Sequence, residues 1–378
     1  MARPVQQTWA TGWLSRWRNW RNARISDPHF QQAAMEFFPS RPFARGRAEA
    51  LYDLVAGFVY SQTLLACVEL DVFEALAEGP LEAHDLAARI GLDASATARL
   101  AQAAASLDLL EVTGDGYGLG PLGAAVRGAP GVAEMIRHHR VLYRDLSDPV
   151  ALLSGQANTE LSRFWAYVGG AQTLDLDEAT AKTYSDLMAA SQAMVAEETL
   201  ATVPLTKVER MLDVGGGDGA FAEAALRAAP DLQACVFDLP AVADRARGRF
   251  ERAGLAGRGS AIGGNFLEGS LPGGFDAISL VRVLYDHDDP VVRELLRRAH
   301  AALPPGGMLL VSEPMSGGKK PLRAGDAYFG FYTAAMGTGQ PRSRSRHAEM
   351  LRDAGFVRVA DHPTRQRFIT SVVTARRA

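Results

Sequence analysis

"VERMLDVGGGDGAFAEAALRAAP", residues 208–230, is a short apolar run, then four glycines within five positions, then an alanine-rich stretch that ends at a proline. The pattern reads as a β-strand, a tight turn and a helix, which lets backbone N–H groups and a helix N-terminus approach a nucleotide-like ligand. Gly215, Gly217 and Ala220 satisfy the dinucleotide spacing with its permitted final alanine, so NAD is one reading of the turn. Three details favour S-adenosylmethionine. Asp213 ends the strand directly before the glycines, where a carboxylate orients the turn or meets the cationic amino end of a methionine moiety. "ACVFDLP", 234–240, ends a second strand in Asp238, placed for two ribose hydroxyls, although NAD would want the same acid. Residues 260–314 then supply a third strand expected to end near Asn265 and Phe266, beside an adenine. A fourth strand from about Ala277, a helix, the turn "LPPGG" and a fifth strand follow. Strands alternating with helices point to an α/β fold with a parallel sheet.

The chain has 378 residues, 47% hydrophobic and 22% charged, long enough for two domains with separate cores. Its net charge of -3 offers no global reason to expect nucleic acid as a partner. Cys67 and Cys235 sit in apolar surroundings and read as reduced core thiols, which implies a cytoplasmic compartment. No run reaches the ~18–20 uninterrupted apolar residues of a spanning helix, and the N-terminus lacks the apolar run of a signal peptide. Four of the five tryptophans, Trp9, Trp13, Trp17 and Trp20, fall in the first 24 residues beside Arg16, Arg18, Arg21 and Arg24. Such a helix suits a membrane interface or an arm packed on a partner subunit, and residues 9–24 leave both readings open.

After the Pro- and Arg-bearing connection at 31–48, residues 50–80 read as apolar helix. Residues 81–120 then read as helix, turn, helix and a short hairpin with Gly114, Gly116 and Gly118, the order of a winged helix-turn-helix. From Val59 to Pro130 ten acids face three arginines, and "SATARLAQAAASL", where a recognition helix would lie, offers only Arg99. Phosphate contacts need the opposite balance, so dimerisation or a substrate lid is the better reading than DNA binding. Further along, Phe164, Trp165, Tyr184, Met188 and Met194 are either plain core or the wall of a pocket for a large apolar ligand. Phe329, Tyr332 and Met336 in "YFGFYTAAM" would complete that pocket.

"LDVGGGDG", "FDLP", "LVRVLYDHDDP", "LPPGGMLLVSEP" and "EMLRDAGF", in this order, resemble the class I S-adenosylmethionine-dependent methyltransferases of the plant-type O-methyltransferase group, which carry an N-terminal winged-helix dimerisation domain. Within that group "FVYSQTLLACVELDVFEAL", "LSDPVALLSG", "ELSRFWAYV" and "YSDLMAASQAMVAEE" look most like bacterial enzymes that methylate hydroxylated acyclic carotenoids. The resemblance covers about residues 50–378. It implies a Rossmann-like seven-stranded sheet behind an all-α winged-helix domain, and a homodimer. The implied organisation is an arm and linker over 1–48, the dimerisation domain over 49–150, a helical connector lining the substrate pocket over 151–205, and the catalytic domain over 206–378. The implied cofactor set is Asp213, Gly215, Gly217, Asp238, Leu239, Asn265, Phe266 and Arg282, with no metal.

The resemblance also exposes a departure. Most of the group ends the fourth strand in Leu-His-Asp-Trp, whose histidine is the general base; here Tyr285 stands at the histidine position and His287 at the tryptophan position. A tyrosine of pKa ~10 is a poor base near neutrality. Glu313 in "VSEP" matches an acid that flanks the base, whereas the second flanking acid is replaced by Pro341 in "GQPRS". Tyr285, His287 and Glu313 are therefore the expected catalytic residues, with His287 as base or with alignment carrying the reaction, and positioning alone is worth ~7–11 kcal/mol. Asp288 and Asp289 before "PVVRELL" read as helix-start acids, with Asp289 as N-cap, rather than metal ligands. "RSRSRH", 342–347, reads as a solvated loop. The rival classes are an NAD-dependent oxidoreductase and a winged-helix regulator; the runner-up substrates are bacteriochlorophyll-pathway or aromatic-polyketide compounds.

Overall fold

The structure is a computed structural model that describes residues 9–114, 116–164 and 192–378. It divides into two units, Met1–Gly120 and Pro121–Ala378.

In the first unit, helices Trp9–Ile25 and Pro28–Glu36 precede a 29-residue helix, Arg41–Glu69. The second half of that helix buries Thr63, Leu65, Cys67 and Val68. Upstream of these, Leu51, Leu54, Val55 and Phe58 are between 63% and 79% exposed. Their spacing of three and four residues makes a single apolar stripe. By length and composition alone the helix is apolar enough to cross a membrane, with a mean hydropathy of 1.4. No uninterrupted apolar run of ~18–20 residues underlies it, since Asp53, Ser61, Gln62 and Thr63 fall within the helix.

Helices Ala83–Ile90 and Ala94–Ala105 form the helix-turn-helix. Gly91 ends the first in the left-handed region (φ 73°), and Asp93 caps the second by accepting from the Ala96 N–H at 2.8 Å. The wing is a small sheet rather than a bare hairpin, which amends the all-α expectation. Strand β1 (Leu81–Glu82) and strand β2 (Leu110–Thr113) flank strand β3 (Gly116–Leu119), both antiparallel to it. Only glycine permits the β1 pairing at residue 116, because a Cβ there would lie 2.7 Å from the Leu81 carbonyl carbon.

The second unit begins with helices Pro121–Gly128, Val132–Asp145, Pro149–Leu153 and Glu160–Phe164, and resumes with a helical run over 192–202. Strands β4 (Arg210–Val214), β5 (Gln233–Asp238), β6 (Gly259–Gly263), β7 (Ala277–Val281), β8 (Met308–Glu313), β9 (Phe356–His362) and β10 (Ser371–Arg377) form one sheet in the order β6-β5-β4-β7-β8-β10-β9. The first five are mutually parallel, and β10 runs antiparallel to both β8 and β9. β7 and β8 are buried along their whole length, as strands covered on both faces must be. Alternate residues serve opposite faces. Leu212, Val214, Leu280, Leu309 and Val311 join one core with Leu296, while Met211, Val236 and Leu310 join another with Phe221 and Phe250.

The strand order reverses between β4 and β7, which opens a crevice at the carboxyl ends of the strands, where ligands of doubly wound sheets bind. β6 ends at Gly263, short of the expected Asn265, because Asn265 Oδ1 accepts the Leu267 N–H at 2.9 Å and starts a turn. Cys67 and Cys235 are buried free thiols.

Candidate active site

The turn after β4 is held by backbone that only glycine adopts easily. Gly215, Gly217 and Gly219 have φ of 67°, 60° and 86°. Gly216 packs against the buried Asp213, and a Cβ there would lie 2.8 Å from Asp213 Cγ. Asp213 Oδ1 accepts from Ser279 Oγ at 2.6 Å, while Oδ2 is buried without a hydrogen-bond partner. Burial pushes this carboxyl up to about 7, opposed by Ser279. At the end of β5, Asp238 accepts the Gly217 N–H at 2.8 Å and the Leu239 N–H at 2.7 Å. Each oxygen keeps a second lone pair for a hydroxyl. Leu239 therefore contributes its N–H to Asp238 at the start of helix Pro240–Arg252.

These residues fit S-adenosylmethionine. The orphaned Asp213 oxygen suits a cationic amine, Gly217 has open space where a side chain would stand, and Asp238 has acceptors for ribose hydroxyls. A Cβ at Gly215 would strike Val283 and lie 3.5 Å from Phe266, so the turn, Phe266 and the exit of β7 face one another. Phe266 also meets His287 edge-on, with centroids 5.6 Å apart. Asn265 spends its amide on Glu268 at 2.9 Å.

β7 leaves the sheet through Arg282, a non-glycine residue at φ 57°, a strained conformation of the kind stored at functional sites. Its guanidinium donates to Tyr285 Oη at 3.3 Å. The next turn, Leu284–Asp286, carries a fully buried Tyr285. Burial pushes the phenol well above its ordinary value, with Arg282 opposing, so Tyr285 cannot serve as base by ionising. Asp286 is buried beside it and also pushed well up by burial. His287 is lowered to about 4 by burial and by Arg342, and stands neutral against Phe266.

Glu313 takes a different position from the one expected. It is completely buried, and its Oε2 accepts the backbone N–H of Tyr285 at 3.1 Å rather than meeting the phenol. His347 Nε2 lies 2.9 Å from the other oxygen. Glu313 thus supports the turn.

Sequence reasoning missed the group that fixes this turn from the other side. Arg342 is 3% exposed, and donates to the Leu284 carbonyl at 2.8 Å, the His287 carbonyl at 2.7 Å and Asp289 Oδ1 at 2.7 Å. "RSRSRH" is therefore not a solvated loop. Its first serine, Ser343, caps helix Arg344–Asp353, and Arg346 donates to Asp289 at 2.6 Å. Asp289 is the first helical residue rather than the N-cap, which is Asp288. Although burial works against it, Arg346 and Arg342 hold its carboxyl at about 2. Among the described residues no group of three or more metal-ligating side chains occurs.

Of the expected pocket residues, Trp165, Tyr184 and Met188 lie outside the described residues, as does the side chain of Phe164. Met194 is half-buried in the run 192–202. Phe329 packs edge-on against Tyr285 at 6.0 Å. Tyr332 and Met336 pack with Leu142, Leu152 and Leu161 in one apolar cluster. Tyr332 also reaches His138, and Tyr328 reaches His139, two histidines that no motif had singled out.

Two outcomes follow for the cofactor site. Gly216→Ala forces a methyl group onto Asp213, and should weaken S-adenosylhomocysteine by about tenfold or more, read as loss of its thermal-shift stabilisation. Asp213 titrates at 3.8 when free and about 7 when folded, so its contribution to stability is complete below 3.8 and is lost as pH rises through 7. Urea unfolding of the ligand-free protein should show that decline, and Asp213→Asn should remove it.

Residues 143–357, more than half of the chain, match the O-methyltransferase domain family, and residues 52–126 match the O-methyltransferase dimerisation domain. The chain is 49% identical to demethylspheroidene O-methyltransferase of Cereibacter sphaeroides, over 89% of this chain and 88% of that protein. It is 47% identical to the enzyme of that name from Rhodobacter capsulatus, over 88% of this chain and 83% of that one. Among solved structures, human N-acetylserotonin methyltransferase in complex with S-adenosylmethionine superposes with a TM-score of 0.73 at 26% identity, covering 88% of this chain and 98% of that one. CalO1 of calicheamicin biosynthesis, bound to S-adenosylhomocysteine, gives a TM-score of 0.72 at 26% identity, with the same coverage. The chain belongs to the O-methyltransferase family that carries a dimerisation domain, and it is an S-adenosylmethionine-dependent O-methyltransferase.

Proposed function

We propose that this enzyme methylates the hydroxyl of a hydroxylated acyclic carotenoid of the demethylspheroidene type, as a step of carotenoid biosynthesis. The observation that carries this reading is identity of 49% and 47%, over nearly nine-tenths of the chain, to two enzymes of that name. Identity to a naphthoate O-methyltransferase is 30%.

S-adenosylmethionine supplies an activated methyl group on a sulfonium. Asp213 binds its amino end, Asp238 its ribose, and Phe266 with His287 flanks its adenine, so that His287 belongs to the cofactor side. Arg342 and Glu313 hold the Leu284–His287 turn rigid, which fixes where the acceptor oxygen meets the methyl group. Met194 and Phe329 line the path of the apolar substrate.

The stripe Leu51, Leu54, Val55 and Phe58 lies largely within the dimerisation-domain match, which supports a homodimer that covers it. Residues 9–24 bring the cytoplasmic enzyme to the membrane that dissolves its substrate. Trp13, Trp17 and Trp20 are exposed there among arginines, and Arg21 stacks on Trp17 at 5.3 Å.

Purified enzyme with S-adenosylmethionine should convert demethylspheroidene to its methyl ether, seen as a mass gain of one CH2 unit. Turnover of aromatic hydroxyls alone would overturn the substrate assignment. Deleting residues 1–24 should reduce co-sedimentation with anionic liposomes, and unchanged partitioning would remove the membrane role.

A further inference from the structure

The methyl acceptor needs somewhere to send its proton, and the expected groups serve poorly. Tyr285 is completely buried and held un-ionised, Glu313 faces backbone, and His287 stands against Phe266. Two histidines outside the family motifs remain. His138 and His139 lie on helix Val132–Asp145, opposite helix Phe329–Met336 and the turn before it. His138 Nε2 is 3.0 Å from Tyr332 Oη, and His139 Nε2 is 2.7 Å from Tyr328 Oη.

The two pairs differ in what surrounds them. Tyr332 lies 6.3 Å from the Phe329 ring, which itself meets Tyr285 at 6.0 Å, so this pair borders the exit of β7. Tyr328 meets Phe329 edge-on at 4.8 Å, while its partner His139 lies against the Tyr143 ring at 6.3 Å. Burial, with His139 and Arg282, lowers His138 to about 4, so its ring is neutral and able to accept.

We propose that Tyr332 and His138 form the proton relay of the methyl transfer, with Tyr332 as the catalytic residue and His138 as the positioning residue that orients its hydroxyl and takes up its proton. This rests on the assignment of an alcohol substrate. An aliphatic alcohol is too weak an acid to be ionised in advance by any of these side chains. Its proton leaves while the oxygen–methyl bond forms, when the oxygen is oxonium-like and strongly acidic, so a weak neutral base suffices. The sulfur–methyl bond breaks and sulfur keeps the electron pair, becoming a neutral thioether. The substrate proton passes to Tyr332 Oη, the tyrosine proton passes to His138 Nε2, and the imidazolium releases it to water. Positive charge lost at sulfur reappears on the imidazole, so the total charge beside Arg282 does not rise. The relay requires the tautomer of His138 protonated on Nδ1.

The test compares wild type, Tyr332→Phe, His138→Gln, His138→Gly and His139→Gln on demethylspheroidene, with S-adenosylhomocysteine affinity measured for each. The relay predicts that Tyr332→Phe and His138→Gln lower kcat by about 100-fold, with KM and S-adenosylhomocysteine affinity within about threefold of wild type. Imidazole in the buffer should restore His138→Gly and leave Tyr332→Phe unchanged, while His139→Gln stays within about threefold of wild type. A near-normal kcat in His138→Gln beside an active wild type would overturn the relay alone. An equal loss in His139→Gln would assign the effect to packing and overturn it too. An inactive wild type would overturn the substrate assignment and the relay with it.

Discussion

The site depends on a loop in left-handed backbone seated on a buried acid. Gly215, Gly217 and Gly219 take positive φ in alternation, and Gly216 presses on Asp213 with no room for a methyl group. This lets the chain turn from β4 into helix Ala220–Ala228 above a buried carboxyl oxygen without a hydrogen-bond partner. Burying an acid without a full set of partners is unfavourable by itself. It becomes favourable once a cation supplies the missing partner. Asp238 completes the cradle by pinning the loop through the Gly217 N–H.

A second constraint acts on the exit of β7. Arg342 and Glu313 grip the Leu284–His287 turn from opposite sides through its backbone carbonyls and an N–H. Gly339, at φ 79°, lets the neighbouring chain pass so closely that a Cβ would lie 2.8 Å from Asp286 Cα. The turn is thus held through backbone groups that do not depend on the side chain at position 285.

Much of this was legible in the sequence because it follows local rules. The glycine turn, the acids that end the first two strands and the helix-turn-helix each come from patterns of neighbouring residues along the chain. What escaped depends on contacts between distant segments. "RSRSRH" looks like a polar loop, and only the fold brings Arg342 to Leu284 and His287, and His347 to Glu313. Glu313 was expected to flank the base, and its Oε2 accepts a backbone N–H, a partner that no side-chain pattern encodes. His138 pairs with Tyr332 across 194 positions.

Whether the loop on β4 holds S-adenosylmethionine rather than a dinucleotide is the point on which every later step turns. Titration calorimetry of the full chain with S-adenosylhomocysteine, and separately with NAD and NADP, tests it directly. The account predicts saturable binding, one molecule per chain, for S-adenosylhomocysteine and none for either dinucleotide. Binding of NAD or NADP in its place would contradict it.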